Sequence, residues 1–338
     1  MALLKASSKK IWRAIQLTVW IIGLVILYLL LFQPRIGVLV FWNILIPVAP
    51  LLFVLSVGVW RNVCPLAITN LLPRHFGFSK RKHLSVTQLG ILNLIGILML
   101  YIIVPLRHAI FNNNGVATGL MIITMACIGF TLSFFYEWKS AWCSGLCPIH
   151  PVEKLYGSNV LFKTGNAHCE SCENCVIPCP DSTQNMQPNK TQKHWLLRFN
   201  AWLIIGGLPG FIYGWFHVPD ISSGNLYFKE IINNYTYPII GLMISLSLYT
   251  ILFYGIKKSY HQKLVAVFAA ASVSCYYWYR IPSLVGLGGF ANDGLLINLS
   301  SFISIWQIKF LTSLTTLFFF YWLVFRAPNK KSWSIRPF

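Results

Sequence analysis

Eight apolar stretches separated by short basic connections dominate the chain, and each is long enough to cross a bilayer. At a rise of about 1.5 Å per residue, roughly 20 helical residues cover a hydrocarbon core of about 30 Å. The stretches run over 12–32, 37–59, 86–106, 116–136, 199–216, 237–256, 264–281 and 302–325. Backbone groups in lipid must bond among themselves, so such stretches fold as helices. The fold class expected is an all-α polytopic membrane protein with about eight transmembrane helices. Of 338 residues, 56% are hydrophobic and 10% charged, a balance outside that of soluble domains. Pro47 and Pro50 predict a kink or break in the second helix, and Gly206, Gly207, Pro209 and Gly210 loosen the fifth. The first stretch follows Lys5, Lys9, Lys10 and Arg13 as a signal peptide would. It is too long for one and no A-x-A-like site follows, so it is expected to stay as a membrane anchor.

A net charge of +19 raises the question of a polyanionic ligand, and the placement of the cations answers it. With a cytoplasmic N-terminus and one crossing per stretch, twenty-two of the 27 Lys and Arg residues fall on the cytoplasmic side. The far side keeps Arg35, Arg107, Lys229 and Arg280, and Lys309 lies inside the last helix. This asymmetry is that of a multi-pass protein of the bacterial inner membrane with both termini cytoplasmic, and it needs no nucleic acid.

The expected organisation is an N-terminal four-helix region over 1–136, a cytoplasmic loop over 137–198 and a C-terminal four-helix region over 199–338. The loop contains Cys169-x2-Cys172-x2-Cys175-x3-Cys179-Pro180, the bacterial ferredoxin spacing. Closely spaced cysteines on a tight loop reach three irons of a [4Fe–4S] cubane, and the Cys before Pro serves another cluster. A remote fourth ligand is therefore needed. Cys147, in Trp142-Cys143-Ser144-Gly145-Leu146-Cys147-Pro148 at the end of the fourth helix, is the candidate. Four-cysteine zinc sites also use Cys-x2-Cys pairs, but seven thiols on one side and this run point to iron and sulfide. A disulfide framework does not suit a reducing compartment.

A second copy of the turn lies upstream. Val59-Trp60-Arg61-Asn62-Val63-Cys64-Pro65 ends the second helix as the Cys147-Pro148 pair ends the fourth, so helices 1–2 and 3–4 read as one hairpin repeated, each closing at the cytoplasmic border. Trp60 stands where Cys143 stands. With Cys169, Cys172, Cys175 and Cys147 on a first cubane, Cys179, Cys143 and Cys64 remain for a second. That cluster lacks one thiolate, and its fourth iron is absent, open, or held by His150, His168 or Asp181. Cys143 and Cys147 can exchange between the sites, and a single cluster with spare cysteines is the simpler alternative. Cys127 and Cys275 fall inside helices and are expected to be packing residues.

Over residues 37–181 the chain resembles the NapH/NosR-type family of membrane-bound polyferredoxin-like proteins, which includes CcoG-like and MauN-like members. The resemblance rests on Trp142 to Pro148 together with Cys169 to Pro180. It implies electron transfer between a quinone pool or cytoplasmic donor and a partner redox protein, often as an accessory of a respiratory or metal-centre-maturing complex. Trp60 departs from a family cysteine, one ferredoxin run stands where several relatives have two, and the resemblance fades after about residue 200.

The other chemistry-bearing residues have plainer expectations. His75 and His83 belong to a basic loop. A bis-histidine haem joining His108 and His217 is not expected, since no Cys-x-x-Cys-His motif is present. Lys309 either snorkels to the outer surface or serves a function inside the span. Asp220, Glu230 and Asp293 are expected to be solvated loop acids, with a proton relay to a quinone as the alternative. Gly-x-Ser-x-Gly, His-Glu-x-x-His and Walker signatures are missing, so any catalysis is redox. The competing functions are a metal-centre assembly factor that reduces a metal or cofactor, and a zinc-binding transporter or structural protein.

Overall fold

The computed structural model describes residues 6–161, 164–168, 194–221, 228–290, 293–327 and 334–335. Within them, eight helical spans are long and apolar enough to cross a membrane: Ser8–Phe32, Pro34–His75, Val86–Phe111, Gly115–Phe135, Trp195–Trp215, Lys229–Gly255, Lys258–Leu284 and Ile305–Phe325. The protein is an all-α polytopic membrane protein. The strands among the described residues are one two-residue parallel pairing, β1 (Thr164–Gly165) with β2 (Ser334–Ile335).

The first hairpin joins α1 (Ala6–Phe32) to α2 (Pro34–Val38), which runs through π-helical Leu39–Leu45 into α3 (Ile46–Val63). Pro47 sits in the first turn of α3, where its missing N–H costs little, and the kink falls at Ser56 (φ −157°, ψ 66°) rather than at either proline. After Cys64 the chain turns into α4 (Pro65–His75). The second hairpin pairs α5 (Val86–Leu106), extended by a π-helical turn, with α6 (Gly115–Phe135). Ser85 and Gln88 form a capping box on α5, and the Asn114 side chain accepts from the Ala117 N–H to cap α6.

The stretch that follows α6 departs from the expected layout. The fourth span ends at Phe135, and the chain is held there by backbone bonds from Lys80 to Phe134 and from Lys82 to Phe135. A π-helical segment, Lys139–Leu146, then folds back into the bundle alongside the middle of α5. Gly96 makes this possible, because an added Cβ would stand 2.8 Å from the Leu146 carbonyl oxygen. The Cys143 and Cys147 motif thus lies on a re-entrant segment, not at the end of the fourth helix. The short α7 (His150–Tyr156) follows.

In the C-terminal half, α8 (Trp195–Trp215) packs on α9 (Phe228–Gly255), followed by α10 (His261–Leu284) and α11 (Ile305–Phe320) with its π-helical end Tyr321–Phe325. The glycines expected to loosen the fifth span instead bring α8 and α9 into backbone contact. A Cβ on Gly210 would run into the Gly241 carbonyl, and one on Gly214 into the Tyr237 carbonyl. Without a hydrophobic drive between helices in lipid, such small-residue contacts supply the packing. The buried face of α8, including Ile205, Leu208 and Phe211, meets Phe268, Val273 and Tyr277 of α10, Phe53 of α3 and Tyr156 of α7 in the main core. Gly241→Val is expected to force α8 and α9 apart and destabilise the protein by about 1–3 kcal/mol, read as a lower Tm in detergent. Gly255→Ala, with nothing within 4 Å, is expected to leave Tm unchanged.

Candidate metal centre

Two cysteine turns of the same shape face one cluster of side chains. Cys64 has φ −57°, ψ 118° and Cys147 has φ −62°, ψ 118°. A following proline excludes the helical conformation, so each Cys-Pro pair ends one helical segment in the same extended step. Cys64, Cys143 and Cys147 belong to a cluster with Ala67, Leu71, Trp138, Trp142 and Leu146. Cys143 is buried, while Cys64 and Cys147 are partly buried.

Depth is where the structure differs most from expectation. Pro65 packs on Gly23, past the middle of α1, and Leu146 lies on Gly96 midway along α5. Met99 of α5 and Met125 of α6 flank the thiols. The turns are therefore recessed into the bundle rather than placed at its border. The break at Cys64 inside the 42-residue span Pro34–His75 and the re-entrant Lys139–Leu146 segment produce the same recess in each copy.

Burial pushes the Cys147 thiol up to about 12, with the nearby Glu153 carboxylate adding to it. Burial also raises Cys143 well above the ordinary thiol value, against a smaller opposing pull from Arg61. Thiols of this kind hold their protons until a metal centre displaces them.

Beside the thiols lies a buried ion pair. An Arg61 guanidinium N–H donates to Glu153 Oε2 at 2.8 Å and to His150 Nδ1 at 3.1 Å. Trp60, standing where the second copy has Cys143, donates its indole N–H to Glu153 Oε1 at 2.8 Å. Burial works against the Glu153 charge, but Arg61, His150 and Trp60 together hold its carboxyl below the ordinary value. Burial drives His150 down to about 4, so its neutral ring accepts from Arg61. Lys139 and Lys154 are buried in the same neighbourhood.

The residue preceding the ferredoxin run is anchored at the same place. His168 Nε2–H donates to the Arg61 carbonyl at 2.7 Å, and Nδ1 faces the Gln16 side-chain amide at 3.4 Å. Its ring stands edge-on to Trp138, with centroids 5.3 Å apart. One residue earlier, the Ala167 N–H donates to Asn62 Oδ1 at 3.1 Å. With both ring nitrogens engaged, His168 is a strut between α1, α3 and the chain leading to Cys169, not an open ligand. Cys169, Cys172, Cys175, Cys179 and Asp181 lie outside the described residues.

The remaining candidates fall elsewhere. Cys127 is exposed on α6, not packed as expected, and Cys275 packs against the main core. His108 is buried, with Nδ1 2.5 Å from Asp220 Oδ1 and Nε2–H donating to the Trp215 carbonyl at 3.1 Å, which leaves neither nitrogen for a haem. His217 Nδ1–H donates to the Tyr213 carbonyl. Asp220 and Asp293 are not solvated loop acids: the Asp220 N–H donates to Asp293 Oδ2 at 2.9 Å, and Asn112 donates to Asp220 Oδ1 at 2.8 Å. Among the described residues, His108, Asp220 and Asp293 are the set whose ligand atoms all lie within 4.8 Å of one another. The Cys64, Cys143 and Cys147 thiols are not drawn that close. No protein-family model matches the chain, and no curated protein or solved structure matches it.

Glu153→Ala removes the carboxylate that balances buried Arg61 and is expected to cost about 3 kcal/mol or more. A lower denaturation midpoint in detergent reads this out. Glu153→Gln, which keeps an acceptor for Trp60, is expected to lose less.

Proposed function

We propose that the protein is a membrane-bound iron–sulfur electron carrier, in which Cys169, Cys172, Cys175 and Cys147 hold a [4Fe–4S] cluster. Cys179, Cys143 and Cys64 are the thiols left for a second. The observation that carries this reading is the docking of His168, the neighbour of Cys169, onto Arg61 and Trp138, beside the turns that present Cys64, Cys143 and Cys147. The ferredoxin run leaves its anchor one residue before its first cysteine.

The donor set present suits such a centre. Thiols from two matched turns face one cluster, and a thiolate-bound cubane is an anion for which Lys139 and Lys154 are buried cations in the same neighbourhood. When bound, the cluster supplies reversible one-electron transfer. The chain's own residues do the rest. Trp60 and Arg61 fix Glu153, His168 fixes the entry to the ferredoxin run, and Trp138, Trp142 and Leu146 keep water from the sulfurs. The donor side is a quinone pool or a cytoplasmic reductant and the acceptor a partner redox protein, as the resemblance to NapH/NosR-type proteins implies.

Placement in a bacterial inner membrane with both termini cytoplasmic is part of the proposal. The distribution of charge supports it, and two of the four far-side cations, Arg107 and Arg280, are buried inside the protein rather than displayed on a loop.

Anaerobically purified protein is expected to contain iron and acid-labile sulfide in equal amounts, about four of each per cubane, with an EPR signal on reduction. Cys147→Ser and Cys169→Ser are each expected to lose iron, while Cys127→Ser keeps it. Zinc without iron contradicts the proposal.

A further inference from the structure

At the end of the bundle away from the His168 anchor, where α5, α8 and α10 finish and α11 begins, the protein forms a partly open cavity of about 500 Å³. Its lining includes Arg107, Trp215, Arg280, Asp293 and Lys309. Both arginines are 3% exposed. Buried charges are normally paired, because stripping an ion of water without a counter-charge is costly. Here the partners are uncharged. Arg107 lies over the rings of Trp42 and Trp215, at 4.1 and 4.9 Å, and its Nε–H donates to Asn112 Oδ1 at 3.2 Å. Arg280 donates to the Trp42 carbonyl at 2.9 Å and to Asn43 Oδ1 at 2.7 Å, with the Tyr276 hydroxyl beside it.

Among the described residues neither guanidinium forms an ion pair with a carboxylate. Asp220, whose charge acts on both guanidinium groups, is held by His108 and Asn112. Lys309 adds a third cation, its Nζ 4.7 Å over the Trp278 ring. Three cations line the cavity against Asp293 and an Asp220 carboxylate already bonded by His108 and Asn112, so positive charge is in excess there. Trp215 lines the same cavity, and among the described residues its buried indole N–H has no acceptor. Although His108, Asp220 and Asp293 are close enough to share a metal ion, a cation there would face both guanidinium groups.

We infer that this cavity binds an oxyanion, a phosphate carried either as the headgroup of an anionic phospholipid or as free phosphate. Arg107, Arg280 and Lys309 supply the counter-charge, and the indole of Trp215 supplies a neutral donor. Asp293 Oδ1 and Oδ2 oppose an anion from one wall, and the Asp220 N–H bond to Oδ2 blunts that opposition. Aromatic and apolar walls, including Phe216 and Leu287, suit an acyl or glycerol group behind the phosphate. Lys309 is thereby assigned a role at the cavity instead of a route to bulk water.

The test is binding to the full-length protein in neutral detergent, stripped of lipid, with phosphatidylglycerol, phosphatidylcholine and orthophosphate as separate probes. Bound lipid is counted by native mass spectrometry and orthophosphate by equilibrium dialysis. One phosphatidylglycerol, or one orthophosphate, is expected to be retained in preference to phosphatidylcholine. Lys309→Gln and Arg107→Gln are each expected to weaken that binding at least tenfold, while Lys257→Gln, on an exposed connection at the opposite end, leaves it unchanged. Retention of phosphatidylglycerol alone identifies the headgroup as the source, and of orthophosphate the free ion. Lys309→Gln touches only a ring face and keeps the test open should Arg107→Gln fail to fold. Absence of both ligands, or equal binding by wild type and Lys309→Gln, overturns the inference.

Discussion

The ion pair between Arg61 and Glu153 is the constraint on which this end of the molecule depends. A charge buried among apolar helices must be met by an opposite charge and by hydrogen bonds, or the segment carrying it moves to water. Arg61 sits three residues before Cys64 at the end of α3, and Glu153 six residues after Cys147 on α7. Satisfying one charge with the other therefore brings the two Cys-Pro turns together. The same arginine uses its carbonyl to hold His168, so three separate stretches of chain converge on one residue. Trp60 completes the arrangement by taking the second carboxylate oxygen. The residue that breaks the cysteine pattern of the repeat thus has a structural task of its own.

Recession of the thiols has consequences for a redox centre. A site halfway along α5 and α6, walled by Met99, Met125 and Trp142, is shielded from water on the membrane side. A low-dielectric surrounding and buried cations act in opposite directions on a cluster's potential, burial disfavouring added negative charge and cations favouring it. In the proposed reading, a cluster held by these turns lies inside the bundle rather than at its border. The aromatic and cationic cavity lies at the other end of the bundle.

The spans were legible because the requirement behind them is simple: a backbone in lipid must bond to itself, and apolar runs of sufficient length record that directly. Tertiary geometry was less so. Pro47 and Pro50 pointed to a break, yet Pro47 sits in the first turn of α3, Pro50 stays within the helix and Ser56 carries the kink. Glycines on α8 signalled looseness by propensity, but their meaning lies in Gly241 across the interface, which no local pattern contains. The Cys-Pro repeat was visible as a spacing, and its matching backbone angles follow from proline chemistry. Its depth was not visible, because a re-entrant segment of eight residues such as Lys139–Leu146 is too short and too polar to register as a span. The pairing of Asp220 with His108, over a hundred positions apart, left no sequence signal either.

X-ray absorption at the iron edge, on protein purified and frozen without oxygen, tests the central claim most directly. Convergence of the described thiols with the ferredoxin run predicts sulfur as the dominant neighbour of iron and a second shell of iron around each iron. Isolated iron with no iron neighbour, or a zinc centre with four sulfurs in its place, contradicts it.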